Sequence, residues 1–99
     1  MGFKKFRWSR VYESSEEELV AFLHARKISS ERIHAQASAE QTEQHARSAT
    51  TIWCAEGSLV LKTASSSTSL QPGDALRIEE NTTYSVQPGF ADCIYYLTR

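Results

Sequence analysis

Three histidines (His24, His34 and His45), two cysteines (Cys54 and Cys93) and scattered carboxylates are the groups of this 99-residue chain best suited to catalysis or metal binding. Their spacing is sparse. No Cys-x-x-Cys occurs, and two thiols are too few for a disulfide scaffold, so both read as small buried hydrophobes of a reducing compartment. His24 falls beside Leu23 at the solvent margin of an expected helix. His34 adjoins Ile33 in an expected strand, where one of the two must face inward. The carboxylates Glu40, Glu43, Glu56, Glu79 and Glu80 fall in polar or turn segments, where water solvates them and nothing poises them for acid–base work. The chain lacks a Gly-x-Ser-x-Gly elbow, a phosphate-cradling loop and a glycine-rich dinucleotide turn.

The elements that must position these groups are mostly strands. Between Ala49 and Thr98, short alternating segments are broken at Glu56-Gly57, Ala64–Ser69, Gln71-Pro72-Gly73-Asp74 and Pro88-Gly89. Strands at roughly 8–12-residue spacing with turn chemistry between them predict an all-β sandwich or barrel. Upstream, Phe3–Tyr12 reads as a first strand with Phe6, Trp8 and Val11 available for burial. Ser14-Ser15-Glu16-Glu17-Glu18 then announces a helix over about Glu16–Arg26, the only helix expected. Ser15 with Glu18, or Ser14 with Glu17, has capping-box spacing, and acids in the first turn suit the helix dipole. Ile28–Glu31 reads as a turn and Arg32–Ala37 as a strand. The polar run Ser38–Ser48 has no periodicity. Thr50–Ala55 and Ser58–Thr63 read as a hairpin, and Ala64–Ser69 as its exposed continuation into a hairpin tip. Ala75–Ile78, Thr82–Val86 and Asp92–Leu97 complete the set.

Composition narrows the partners. The chain is 40% hydrophobic and 23% charged, as globular chains are. Eleven basic and twelve acidic side chains give a formal charge of −1, too balanced to attract a nucleic-acid backbone. The local excess at Lys4, Lys5, Arg7 and Arg10, interleaved with Phe3, Phe6 and Trp8, reads as an edge strand with solvated charges. With no apolar run long enough for a signal peptide or a membrane span, the expectation is a soluble, cytoplasmic protein without membrane or nucleic-acid partners. Its length suits one domain, residues 1–99, with a strand and helix over 1–30 and a barrel over 31–99.

Two stretches together resemble the cupin family. Thr50-Thr-Ile-Trp-Cys-Ala-Glu-Gly57-Ser-Leu-Val-Leu is similar to the strand–Glu-Gly–strand part of the first cupin motif, and Leu70-Gln-Pro-Gly-Asp74 through Tyr84-Ser-Val resembles the second. The likeness spans roughly Ala37–Thr98, and the N-terminal helix looks like that of small single-domain bacterial cupins. It implies an all-β, double-stranded β-helix (jelly-roll) barrel with one short N-terminal α-helix, commonly as a homodimer.

In typical cupins, histidines and a glutamate inside the barrel hold a divalent metal. Carried over residue by residue, the glutamate position is Thr50 and the final histidine is Tyr84, with Glu79-Glu80-Asn81 replacing the preceding Pro-x-Gly. The paired histidines fall at Glu43 and His45 with the family's longer spacer, and at Gln44 and Ala46 with the shorter. A metal held by Glu43 and His45 would still need a third ligand, from Tyr84 or His34. If Thr50 faces inward, Ile52, Cys54 and Glu56 share its face and Trp53 needs cover from the helix, the first strand or a second subunit. The jelly-roll order makes the Thr50 strand and the last strand neighbours, so Cys54 and Cys93 lie near each other as unpaired core thiols. The resulting expectation is a binding barrel that holds a small organic ligand between Thr50, Ile52, Cys54, Tyr84, Val86 and Tyr95, with no cofactor. The alternatives are a metal-dependent oxygenase or isomerase using Glu43 and His45, and a structural protein that docks through exposed Trp8 and Trp53.

Overall fold

The computed structural model describes residues 3–9, 15–36, 42–64, 66–89 and 91–99. Among them the element order is β1 (Phe3–Arg7), α1 (Glu16–Ala25), β2 (Glu31–Ala35), β3 (Thr42–Ala46), β4 (Thr50–Glu56), β5 (Leu59–Lys62), β6 (Ser67–Leu70), β7 (Asp74–Ile78), β8 (Thr82–Pro88) and β9 (Cys93–Thr98). The strands pair as a long antiparallel hairpin rolled on itself, β2 with β9, β3 with β8, β4 with β7 and β5 with β6. Rolling adds the pairs β4·β9 and β5·β8, giving two facing sheets ordered β1-β7-β4-β9-β2 and β3-β8-β5-β6. This is a jelly roll, with β1 added at one edge.

Alternation along the strands feeds two separate cores. In β4, Thr50, Ile52 and Cys54 share the face toward the space between the sheets, where Ile52 and Cys54 pack with Leu59, Leu61, Leu70, Leu76 and Ile78. Trp53 and Ala55 point to the outer face, under Leu19 and Leu23 of α1. Phe6 and Phe22 cover Trp53 with ring centroids 5.6 and 5.7 Å away. The indole N–H of Trp53 donates to Thr98 Oγ1 at 3.0 Å. Helix and first strand thus supply the cover, and the expected docking surface of exposed Trp8 and Trp53 is not there: Trp53 is buried, and Trp8 is half-buried against Phe22.

The helix is bounded as its sequence dictates. Ser15 Oγ accepts from the Glu18 N–H at 3.2 Å and donates to Glu18 Oε1 at 3.4 Å, which selects one of the two capping boxes. At the other end Lys27 takes φ +56°, and the N–H groups of Lys27 and Ile28 donate to the carbonyls of His24 and Leu23, a Schellman cap built without glycine. Glu16 then fastens the helix to the sheet by accepting from Arg32 Nε and, at 2.6 Å, from the Tyr96 hydroxyl.

Gln71-Pro72-Gly73-Asp74 forms the expected turn. The Asp74 N–H donates to Gln71 O at 2.8 Å, the Asp74 carboxylate accepts from the Gln71 N–H at 3.0 Å, and Gly73 has φ +100°. Arg7 Nη1, 2.8 Å from Asp74 Oδ1, ties the edge strand β1 to this turn.

Several expectations need correction. Thr50–Ala55 and Ser58–Thr63 do not pair as a hairpin: β4 and β5 lie in different sheets, and the Glu56-Gly57 turn carries the chain across. The hairpin is β5–β6, closed where the Thr63 N–H donates to Ser66 O at 2.8 Å, so the segment read as an exposed tip contains strand β6. The polar run Ser38–Ser48 contains strand β3; residues 38–41 of that run lie outside the described residues, as do Ala37 and Val11. β1 ends at Arg7, short of the expected Tyr12. Among the described residues no helix is long and apolar enough to cross a membrane.

Candidate functional site

One end of the barrel is packed and the other is open. At the packed end, where β4 finishes and β9 begins, Cys54 and Cys93 are fully buried and unpaired. The Cys54 thiol donates to Gly57 O at 3.3 Å. Burial pushes the Cys54 thiol up to about 12 and Cys93 up to about 11, with neighbouring negative charge adding to both. Both therefore remain protonated thiols, the unreactive form.

At the open end a cavity of about 620 Å³ lies between the sheets, where β2 and β4 begin and β3 and β9 end. Its floor is buried: Ala46, Thr50, Tyr84 and Tyr95. Half-buried Ile33, Val86 and Leu97 form apolar walls. Exposed Glu31, Gln44, His45, Arg47, Ser48 and Arg99 complete the rim. Strand register explains which side chains arrive there. Gln44 lies opposite Tyr84 and Ala46 opposite Thr82, so the inward parity of buried Tyr84 and Ala46 is shared by Gln44. Asn81, at φ +64°, turns the chain between β7 and β8 and donates its N–H to Ala46 O, fixing the end of β3 beside the floor.

The floor carries hydrogen-bonding capacity without charge. Burial raises both tyrosine hydroxyls, Tyr95 to about 12 with help from Tyr84, Cys93 and Glu31. The nearby Arg99 acts in the opposite direction on Tyr84. Both are O–H donors at ordinary pH. Neither hydroxyl has a hydrogen-bond partner among the described residues, and neither is completely buried. Thr50 Oγ1 donates to Ser48 O at 3.0 Å.

Of the six residues expected to line a ligand pocket, Thr50, Tyr84, Val86 and Tyr95 meet here. Ile52 and Cys54 share the same inward face but lie deeper, in the packed core. Glu43 and His45 take the opposite parity. His45 borders the rim, yet its Nδ1 is 2.9 Å from Thr83 Oγ1 of the neighbouring strand, an exposed residue. Glu43 borders an outer groove of about 340 Å³ with Lys62, Thr83 and Ser85. His34 is half exposed with Nε2 3.4 Å from Asp92, while Ile33 takes the inward place. Of the two registers open to sequence, Gln44 and Ala46 form the inward pair and not Glu43 and His45, while Ile33, Leu97 and the arginines of the rim were missed. The parity of β9, already legible through Tyr95 and Leu97, extends to Arg99 and was the signal available.

The inward positions do not suit the metal that typical cupins hold. Gln44, Ala46, Thr50 and Tyr84 offer an amide, a methyl group, an alcohol and a phenol held protonated, where a divalent transition metal takes imidazole, carboxylate or thiolate. Among the described residues no three His, Cys, Asp or Glu side chains converge.

No protein-family model matches the chain, and no curated protein sequence does. Solved structures do. A DUF861 family protein from Thermotoga maritima superposes with a TM-score of 0.65 at 10% identity, over 96% of this chain and 96% of its own. A cupin superfamily protein from Desulfitobacterium hafniense superposes with a TM-score of 0.61 at 11% identity, over 97% of this chain and 74% of its own. At such identities the likeness speaks for architecture alone. Two antiparallel sheets in nested pairing, one short N-terminal helix and these two neighbours make the chain a small protein of the cupin fold.

Proposed function

We propose that this barrel is a non-catalytic binding module that holds a small organic ligand in the cavity at its open end, and that it works as a cytoplasmic homodimer. The observation that carries the reading is a pair of buried tyrosines that line a cavity of about 620 Å³ and whose hydroxyls have no protein partner among the described residues. Hydroxyls without a protein partner are left to water, and a ligand bearing an acceptor can replace that water and bond to them. The volume and the mix of apolar wall with a few convergent polar groups are those of small-molecule sites. For the dimer, the support is apolar surface left uncovered, with Phe6 37% and Val20 45% exposed.

The test is ligand-observed NMR with a metabolite-sized compound library, repeated on Tyr95→Phe. Binders that weaken on losing that hydroxyl support the reading; a library without hits, or hits indifferent to Tyr95, counts against it. A metal-dependent oxygenase or isomerase working through Glu43 and His45 is the competing reading. Metal analysis of protein purified without added ions separates the two, since a stoichiometric transition metal lost on His45→Ala would favour the enzyme. Light scattering that finds a monomer at high micromolar concentration would remove the dimer.

A further inference from the structure

We infer that the ligand of this cavity is a small amphiphilic monocarboxylate, its carboxylate held at the rim by Arg47 and Arg99 and its body lying between the sheets; the inference rests on reading the cavity as a binding site. The burial gradient supplies the orientation. The deepest polar groups, Tyr84 and Tyr95, are neutral donors, and the walls Ile33, Val86 and Leu97 are apolar. Full charges occur only where the cavity meets solvent. A molecule matching that profile has an acceptor oxygen at its inner end, an apolar body and a charged outer end.

The sign of that outer charge follows from the rim. Arg47 and Arg99 both line the cavity, and neither has an ion pair or a hydrogen bond from its side chain among the described residues. Two other arginines are engaged within the protein: Arg7 pairs with Asp74, and Arg32 with Glu16. A guanidinium offers a planar fork of donors that fits a carboxylate with two parallel hydrogen bonds. Arg99 lies close enough to the floor for its charge to act on Tyr84. Glu31, on the same rim, cancels one of the two positive charges. Glu31 repels a dianionic phosphate ester more strongly than a monoanion, so this rim suits a carboxylate better.

The test uses the full chain, labelled for NMR, with three probes sharing one body: 4-acetylphenylacetate, its neutral primary amide, and 4-acetylphenyl phosphate. Shifts of the Val86 and Leu97 methyls report occupation of the cavity. The carboxylate is expected to bind about tenfold more tightly than the amide, and Arg47→Gln and Arg99→Gln each to weaken the carboxylate about tenfold while leaving the amide unchanged. Both arginines are exposed, and unchanged melting temperatures would show that the variants fold. Equal binding of carboxylate and amide, or arginine variants that bind the carboxylate like the wild type, would overturn the assignment. Tighter binding of the phosphate would move it to a dianion. If none of the three shifts those methyls, the carboxylate assignment falls. A library of neutral fragments on the same resonances then decides separately whether the cavity binds anything, because hits there leave the binding reading standing without the anion.

Discussion

Gly57→Ala is the sharpest test of how the barrel's packed end is built. Gly57 has φ +75°, and a Cβ placed on it would lie 2.6 Å from the Asp92 carbonyl oxygen and 3.0 Å from the Cys93 Cβ. The left-handed backbone alone costs a residue with a Cβ about 1–2 kcal/mol. Relieving the contact means moving the start of β9, because the obstructing atom is backbone, and overpacking of that kind costs about 1–3 kcal/mol. The lower chain entropy of alanine in the unfolded state offsets about 0.4–1 kcal/mol. The expected net loss is about 1–4.5 kcal/mol, read as a fall of the urea midpoint by about 0.5–2 M followed through the fluorescence of buried Trp53. Gly89→Ala is the internal control. A Cβ there meets Ser58 Oγ, a side-chain atom that can rotate away, and Gly89 is not in the left-handed region, so its loss should stay within about 1 kcal/mol. A Gly57→Ala protein that unfolds with Gly89→Ala, less than about 1 kcal/mol below wild type, would refute the argument.

Lys27→Gly should stabilise the protein by up to about 1 kcal/mol, since Lys27 occupies the left-handed position of the helix cap where glycine carries no Cβ penalty; an unchanged or lower urea midpoint contradicts this. Thr98→Val removes the hydroxyl that accepts from the buried Trp53 indole N–H and should cost about 1–3 kcal/mol in the same assay, although shape is kept. Glu16→Gln has a pH signature. Hydrogen bonds from Arg32, and then from Tyr96, hold the Glu16 carboxyl below its usual value of 4.5, so its contribution is complete above that pH and lost as pH falls through the lowered value. The variant should unfold at lower urea than wild type at neutral pH, and the gap should narrow as pH falls through the lowered value; a gap that keeps its size throughout an acid titration would show the carboxylate is not its source.

What was legible in the chain was whatever physics made local. Ser15 and Glu18 cap a helix by spacing alone, Pro72-Gly73-Asp74 closes its turn with its own atoms, and alternation in β4 and β9 sorts Trp53 from Ile52 and Tyr96 from Tyr95. Strand β3 was illegible because its inward side chain Gln44 lines a wet rim while Glu43 and His45 face outward, so neither face is apolar and alternation vanishes. β6 hid for a related reason: it is an edge strand whose Ser67-Thr68-Ser69 is polar and only half-buries Thr68 before Leu70. The choice between the two metal-motif registers was equally closed to sequence, because only pairing with β8 sets Gln44 opposite Tyr84. The Glu56-Gly57 turn suggested a hairpin, since a tight reversal looks the same whether the next strand joins the same sheet or the opposite one.

The nested order of the strands also sets a sequence of assembly. Ser67 returns to Lys62 across one short loop, whereas Glu31 must find Leu97 across nearly the whole chain. Closing a longer span costs more chain entropy, so the β5–β6 end should zip early and the β2–β9 seam late. The residues that border the opening, Glu31, Ile33, Leu97 and Arg99, sit on that last seam. Amide exchange should therefore be fastest around the very groups that would greet a guest, and an occupant gripping both edges would latch the roll shut.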